Sequence, residues 1–217
     1  MKNLQTKTVL TICAVVLMTG TLAMATPIGP TVKVRQKDGI YQAEIISGSI
    51  GNYTQGDKFM TLCIETNERR NPHVALVEIS TIAKANGMDP NKGYDPMLGG
   101  DPLGAEAAWI YTEFMAGNLS SYKNKDVQKA ARFAEEEYTS ISGKAKEVYD
   151  LAVAASPTGI GDVRVMNILH TYDHPHGKWQ AGDPAQSFLV TVPEPATMTL
   201  LGVGGVMALI RRKRRAC

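Results

Sequence analysis

Cys63 heads the short list of residues in this 217-residue chain whose types could do chemistry. The other two cysteines lie at the ends, Cys13 in an apolar N-terminal run and Cys217 as the last residue. Cys63 therefore stands alone in the body of the chain and cannot close an internal disulfide. Such a residue is a buried small hydrophobe, a reactive thiol, an intermolecular partner or one end of another crosslink. A second group is His170, His174 and His176, spaced H-x3-H-x-H around Asp173, with His73 elsewhere. Imidazoles suit zinc, copper or nickel. Pro175 and Gly177 nevertheless put the cluster in a loop without a cysteine or paired carboxylate, and a solvated histidine-rich loop with no metal is expected. Ser120-x-x-Lys123 is a fragment of a serine-hydrolase motif without its partner motifs. Glu135-Glu136-Glu137 reads as an exposed helix face. With no phosphate loop and no H-E-x-x-H, the sequence points to no catalytic residue and no cofactor.

These residues must be positioned by elements readable from pattern. β-branched and alternating residues over 32–35 and 40–47 flank Asp38-Gly39, a hairpin signal. Residues 58–66 form a strand candidate with Phe59, Thr61, Cys63 and Glu65 on one face and Met60, Leu62, Ile64 and Thr66 on the other, so Cys63 sits opposite the more apolar side. Residues 73–81 alternate as a further strand, with a helix as the other reading, and 86–100 are dense in loop formers. Asp101-Pro102 reads as an N-cap followed by proline at the first helical position, opening a helix that stops at Gly117. A second helix starts near 124–126, where Val127, Ala130, Ala131, Ala134 and Tyr138 make a buried stripe flanked by Gln128. Residues 144–155 form a third helix, and 163–169 and 186–192 are closing strands. The order predicts a single α+β domain, with antiparallel strands flanking a central group of about three helices.

The two ends are targeting segments. Lys2 and Lys7 precede an apolar run over 9–25 that ends in the A-x-A arrangement of Ala23 and Ala25, the pattern of a signal peptide over 1–25 read by Sec-type export machinery. At the other end, Val192-Pro193-Glu194-Pro195 is followed by an uncharged segment over 196–210 and then by Arg211, Arg212, Lys213, Arg214 and Arg215. As a helix that segment is about 22 Å long, short against a hydrocarbon core of about 30 Å, which suits a temporary inner-membrane hold. Seven of the 23 basic and one of the 21 acidic residues lie in these ends, which leaves 16 basic against 20 acidic in the mature domain over 26–192. The overall +2 thus gives way to a mildly acidic domain, with no basic stripe for nucleic acid. The tail over 193–217, with the preceding Val192, resembles the PEP-CTERM sorting signal. That resemblance implies processing by exosortase, a membrane cysteine protease-transpeptidase, in a Gram-negative bacterium that makes extracellular polysaccharide. The protein would pass an inner-membrane stage with a transmembrane sorting helix and end on the cell surface or in the extracellular matrix.

A second resemblance lies in the mature domain. Thr61-Leu62-Cys63-Ile64-Glu65, then Ala107-Ala108-Trp109-Ile110-Tyr111-Thr112-Glu113-Phe114, then Val127-Gln128-Lys129-Ala130 resemble a thioester-domain-like family found among PEP-CTERM proteins. The resemblance implies an internal thioester between a strand cysteine, Cys63, and a glutamine opening a helix, Gln128. The family glutamine is usually followed by small or apolar residues ending in Trp, whereas Ala131-Arg132-Phe133 stand here. In the structural reading of the same residues, Cys63 packs in a strand and Gln128 is solvated on its helix. The sequence thus supports an exported, exosortase-processed, non-enzymatic surface or matrix protein, structural or adhesive, with extracellular polysaccharide or surface amines as candidate partners. One alternative is a thioester adhesin that couples to a surface amine or hydroxyl; another is a secreted hydrolase, whose triad would have to assemble from distant positions.

Overall fold

The computed structural model describes residues 29–65, 74–84, 100–170 and 180–193. The segments expected to form the signal peptide and the sorting helix lie outside these residues, as do the loop over 86–99, His73, His174 and His176. Among the described residues no helix is long and apolar enough to cross a membrane.

The main sheet is antiparallel and contains β1 (Thr31–Lys37), β2 (Ile40–Ser47), β5 (Lys58–Thr61), β6 (Ala75–Ser80), β9 (Val163–Leu169) and β10 (Pro184–Thr191). Its order is β10-β9-β6-β1-β2-β5. Two small ladders accompany it, β3 (Ser49–Ile50) with β4 (Tyr53–Thr54), and β7 (Ile82–Ala83) with β8 (Asp101–Pro102). Three helices, α1 (Ala105–Met115), α2 (Asn124–Ala134) and α3 (Gly143–Ala155), lie between β8 and β9 in the chain. The expected α+β class and antiparallel pairing hold.

The sheet is more than an open layer. Beyond Thr61 the chain leaves β2 and pairs with β10: Ile64 N–H donates to the Ser187 carbonyl at 3.1 Å, and Leu189 N–H donates to the Leu62 carbonyl at 2.9 Å. Cys63 and Phe188 form the bridge between these bonds. First and last strands are thereby joined, and the sheet closes on itself. Closure produces two cores. Val32, Tyr41, Ala43, Ile45, Phe59, Cys63, Val77, Met166, Ile168 and Phe188 fill the inside. Leu62, Ile64, Val163, Val165 and Leu189 face outward against the helices. The alternation expected for 58–66 is present over the described residues 58–65, with Cys63 opposite the more apolar side, but the side carrying Cys63 is as buried as the other. A period-two pattern cannot reveal that both faces are covered.

Alanine dominates the helix contacts: Ala107 and Ala108 of α1, Ala130 and Ala131 of α2, and Ala152 of α3 are all at most 1% exposed. Small side chains let the helix axes approach closely. Phe133 of α2 meets Tyr149 of α3 edge to face, with ring centroids 4.8 Å apart. Two expectations fail in this layer. Asp101-Pro102 does not open α1, because Asp101 and Pro102 pair with Ala83 and Ile82; the cap position is Gly104. The stripe stops before Tyr138, because α2 ends at Ala134 and the chain turns through Glu136 at φ 60°.

The β1–β2 turn has Asp38 at φ 49° and Gly39 at φ 85°, the positive pair that a two-residue hairpin requires. A Cβ at Gly39 would lie 3.2 Å from both the backbone N and the Cβ of Lys125, so the hairpin tip sits on the first turn of α2. Gly39→Ala should therefore cost more than Gly56→Ala, where φ is also positive (90°) but nothing stands within 4 Å. We expect about 1 kcal/mol for the strain alone at Gly56 and about 2 kcal/mol or more at Gly39. Urea unfolding of the two variants side by side checks the difference.

Candidate functional site

Closure leaves one side of the Cys63 segment without a strand. Leu62 and Ile64 direct their backbone groups at β10, so the N–H and carbonyl of Cys63 point the other way. On that side β2 has already ended, since Tyr41 pairs with Thr61 and the chain turns just before Ile40. The gap is filled by a side chain. The Oε1 of Gln128 accepts from Cys63 N–H at 3.1 Å, and its Nε2 donates to the Cys63 carbonyl. A carboxamide has the donor and acceptor arrangement of a peptide unit, so it completes the ladder as a neighbouring strand would. One helical turn on, Arg132 projects from the same side of α2, and its Nε donates to the same carbonyl at 3.2 Å.

The two residues linked only by resemblance in the sequence are thus in direct contact across a separation of 65 positions. Gln128 is 5% exposed, which overturns the expectation of a solvated helix residue. Its burial follows from the unsatisfied backbone of Cys63, because buried peptide groups require partners. Cys63 is fully buried and is the free cysteine of the described residues. Its Sγ donates to the Glu65 carbonyl at 3.0 Å. Burial pushes the thiol up to about 11, and the Arg132 guanidinium opposes that rise. Cys63 is therefore a neutral thiol at physiological pH, with a cation beside it that favours the thiolate.

Above Gln128 lies an open cavity of about 440 Å³. Gln128, Lys125, Asp126, Lys129 and Arg132 of α2 line it together with Tyr138, and Gly39 of the hairpin tip forms its rim. The Lys129 ammonium sits 5.8 Å from the centre of the Tyr138 ring.

Other polar residues missed by pattern reading hold the frame. Glu65 accepts from Ser187 N–H at 2.9 Å, and the Ser187 hydroxyl bonds Asn167 Oδ1 at 2.8 Å. Asn167 donates to the Ser80 hydroxyl and to the Ile82 carbonyl, both at 3.0 Å. This network ties the strand end after Cys63 to β9, β10 and the β6–β7 corner. Glu135 and Glu137, expected on an exposed helix face, are 6% and 8% exposed. Glu135 Oε1 accepts from Gly104 N–H at 3.0 Å and caps α1 from another helix. These residues carried no local signal, since each finds its partner far along the chain.

Of the remaining candidates, His170 directly follows β9, 8% exposed, with its backbone N–H on the Asp183 carbonyl at 2.9 Å. Among the described residues no three His, Cys, Asp or Glu side chains converge as metal ligands. Ser120 is exposed and Lys123 occupies the α2 cap position. Val192 and Pro193 follow β10, and Val192 N–H bonds the Asp162 carbonyl at 2.8 Å. Glu194, Pro195 and the basic residues 211–215 lie outside the described residues.

Residues 191–215 match the PEP-CTERM protein-sorting motif. The motif implies an exosortase-targeted, exported surface protein that passes through a membrane intermediate. No curated protein and no solved structure matches the chain. None of these comparisons supports the thioester-domain resemblance of the mature domain.

Proposed function

We propose that this exported surface protein is a single-use covalent adhesin, whose Cys63 thiol and Gln128 carboxamide form an internal thioester that couples to an amine or hydroxyl outside the cell. The observation that supports the reading is the seating of the Gln128 carboxamide on the backbone of Cys63. In the bond-forming step the Cys63 sulfur attacks Cδ of Gln128, the C–N bond breaks, and ammonia leaves carrying the thiol proton. No electrons are gained or lost. Oxyanion character on Oε1 is met by the Cys63 N–H that already donates to it. Arg132 supplies positive charge beside the sulfur. An acceptor amine then takes the acyl group and releases the thiol, so the protein does not turn over.

Intact mass spectrometry tests this directly. The native protein should be lighter than its processed sequence by one ammonia. Methylamine should open the bond, freeing Cys63 and leaving Gln128 as its N-methyl amide. Cys63→Ala should abolish both effects. A native mass equal to the unmodified sequence, with Cys63 fully alkylated once unfolded, would reduce the Gln128 contact to a structural plug for a strand edge.

Sorting carries its own expected result. Pro193-Glu194-Pro195 precedes the short apolar segment and basic stop, so the surface pool should lack the tail. Peptides covering 200–211 should be absent from protein recovered at the surface of its native host. An intact Cys217 terminus in that pool would contradict it.

A further inference from the structure

We infer that the cavity above Gln128 is the acceptor site, and that it selects acceptors carrying a carboxylate close to their nucleophile. This inference rests on the thioester reading for its chemistry, but the anion preference stands on the cavity itself. Gln128 lines the cavity, so an acceptor reaching its acyl carbon from solvent passes between the side chains of the wall. Those side chains are unbalanced in charge. Lys125, Lys129 and Arg132 face a single carboxylate, Asp126. None of the ion pairs among the described residues involves either lysine.

Position reinforces the imbalance. Lys125 and Lys129 are four residues apart and share a helix face. The α2 cap residue, Lys123, makes no side-chain capping bond, and Asp126 is the one acidic residue of the first turn set against the positive end of the helix. Arg132 is fixed by its bond to the Cys63 carbonyl and is also held by the Tyr138 side chain, so its charge stands in the wall without reordering. In a concave site such charges focus on an incoming anion. The mature domain is acidic overall, so this patch is local rather than a general property of the surface. Aldonic and uronic acid units and amino acids present a carboxylate and a hydroxyl or amine within one small unit, which is the class the cavity fits.

The test uses two small amines of similar size and basicity, β-alanine and n-propylamine, which differ in a terminal carboxylate. Mixed in equal amounts with the purified protein at low salt, they should give β-alanine adducts at Gln128 in excess by about tenfold. The ratio should fall toward one at high salt and in Lys125→Glu/Lys129→Glu, which alters only residues at the cavity wall. An equal ratio in the wild type, or one unmoved by charge reversal, would overturn the proposal. A second arm does not need the thioester: glucuronate and glucose are titrated into Cys63→Ala, followed by lysine side-chain NMR. Glucuronate alone should perturb Lys125 and Lys129. A missing ammonia deficit together with glucuronate binding would refute the covalent reading and leave the anion site standing. Absence of glucuronate binding would refute the anion site whatever the mass shows.

Discussion

Gln128→Leu should lower the unfolding free energy by about 2–4 kcal/mol, one of the two largest effects expected here. The substitution keeps the bulk of the side chain and removes both of its hydrogen bonds to Cys63. The Cys63 carbonyl retains Arg132, but its N–H is left buried without a partner. Such a group costs its full desolvation, which is why the loss exceeds the net worth of an ordinary hydrogen bond. Gln128→Glu should fall between the two: a carboxylate can accept from Cys63 N–H but cannot donate to the carbonyl, and Arg132 offsets part of the repulsion. Urea unfolding at neutral pH of Gln128, Gln128→Leu and Gln128→Glu, all in a Cys63→Ala background where no thioester can form, gives the order. Equal stability of the leucine variant and its Gln128 parent would mean that the Cys63 edge does not need the carboxamide.

The second large effect is on pH dependence. Burial drives the Glu135 carboxyl up to about 8; the Gly104 N–H opposes this, and Asp101, Glu137 and Glu106 add to it. Asp101 is raised to about 6, by burial first and then by Glu136 and Glu137. Between the ordinary carboxylate pKa and about 8, the folded chain therefore holds a proton on Glu135 that the unfolded chain releases. Stability is fully present below the unfolded value and is lost as pH rises toward 8. From pH 5 to pH 8 the unfolding free energy should drop by about 2–4 kcal/mol and then level off. Glu135→Gln keeps an acceptor for Gly104 and has no proton to lose. It should flatten most of that slope and leave the variant more stable than wild type at pH 8. Parallel slopes for the two proteins would place the titrating group elsewhere.

What could be read from the sequence was what is written locally. Asp38-Gly39 marks its turn because both residues tolerate positive φ, and the strands on either side follow. The Val127, Ala130 and Ala131 stripe marks a helix because burial repeats with its turn. Other features depend on distant partners. Asp101-Pro102 has the chemistry of a helix start, and only the presence of Ile82 and Ala83 makes it a strand. Glu135 and Glu137 look solvated until the turn at Glu136 folds them inward. The Cys63–Gln128 contact was suggested by a resemblance between motifs. Period and composition alone could not have found it, because the cause is a strand edge left open where β2 ends.

The pairing of Leu62 and Ile64 with Leu189 and Ser187 also fixes an order of events. It joins parts of the chain more than 120 residues apart, and closing so long a loop is slow and must follow the local elements. β10, the last strand to emerge from an N-to-C translocating chain, is also the one that completes the wall around Cys63. On the thioester reading proposed above, the wall around the reactive centre would be complete only after β10, the strand adjoining the sorting signal, had followed Cys63 and Gln128 out of the cytoplasm, and export would then set the timing of the chemistry.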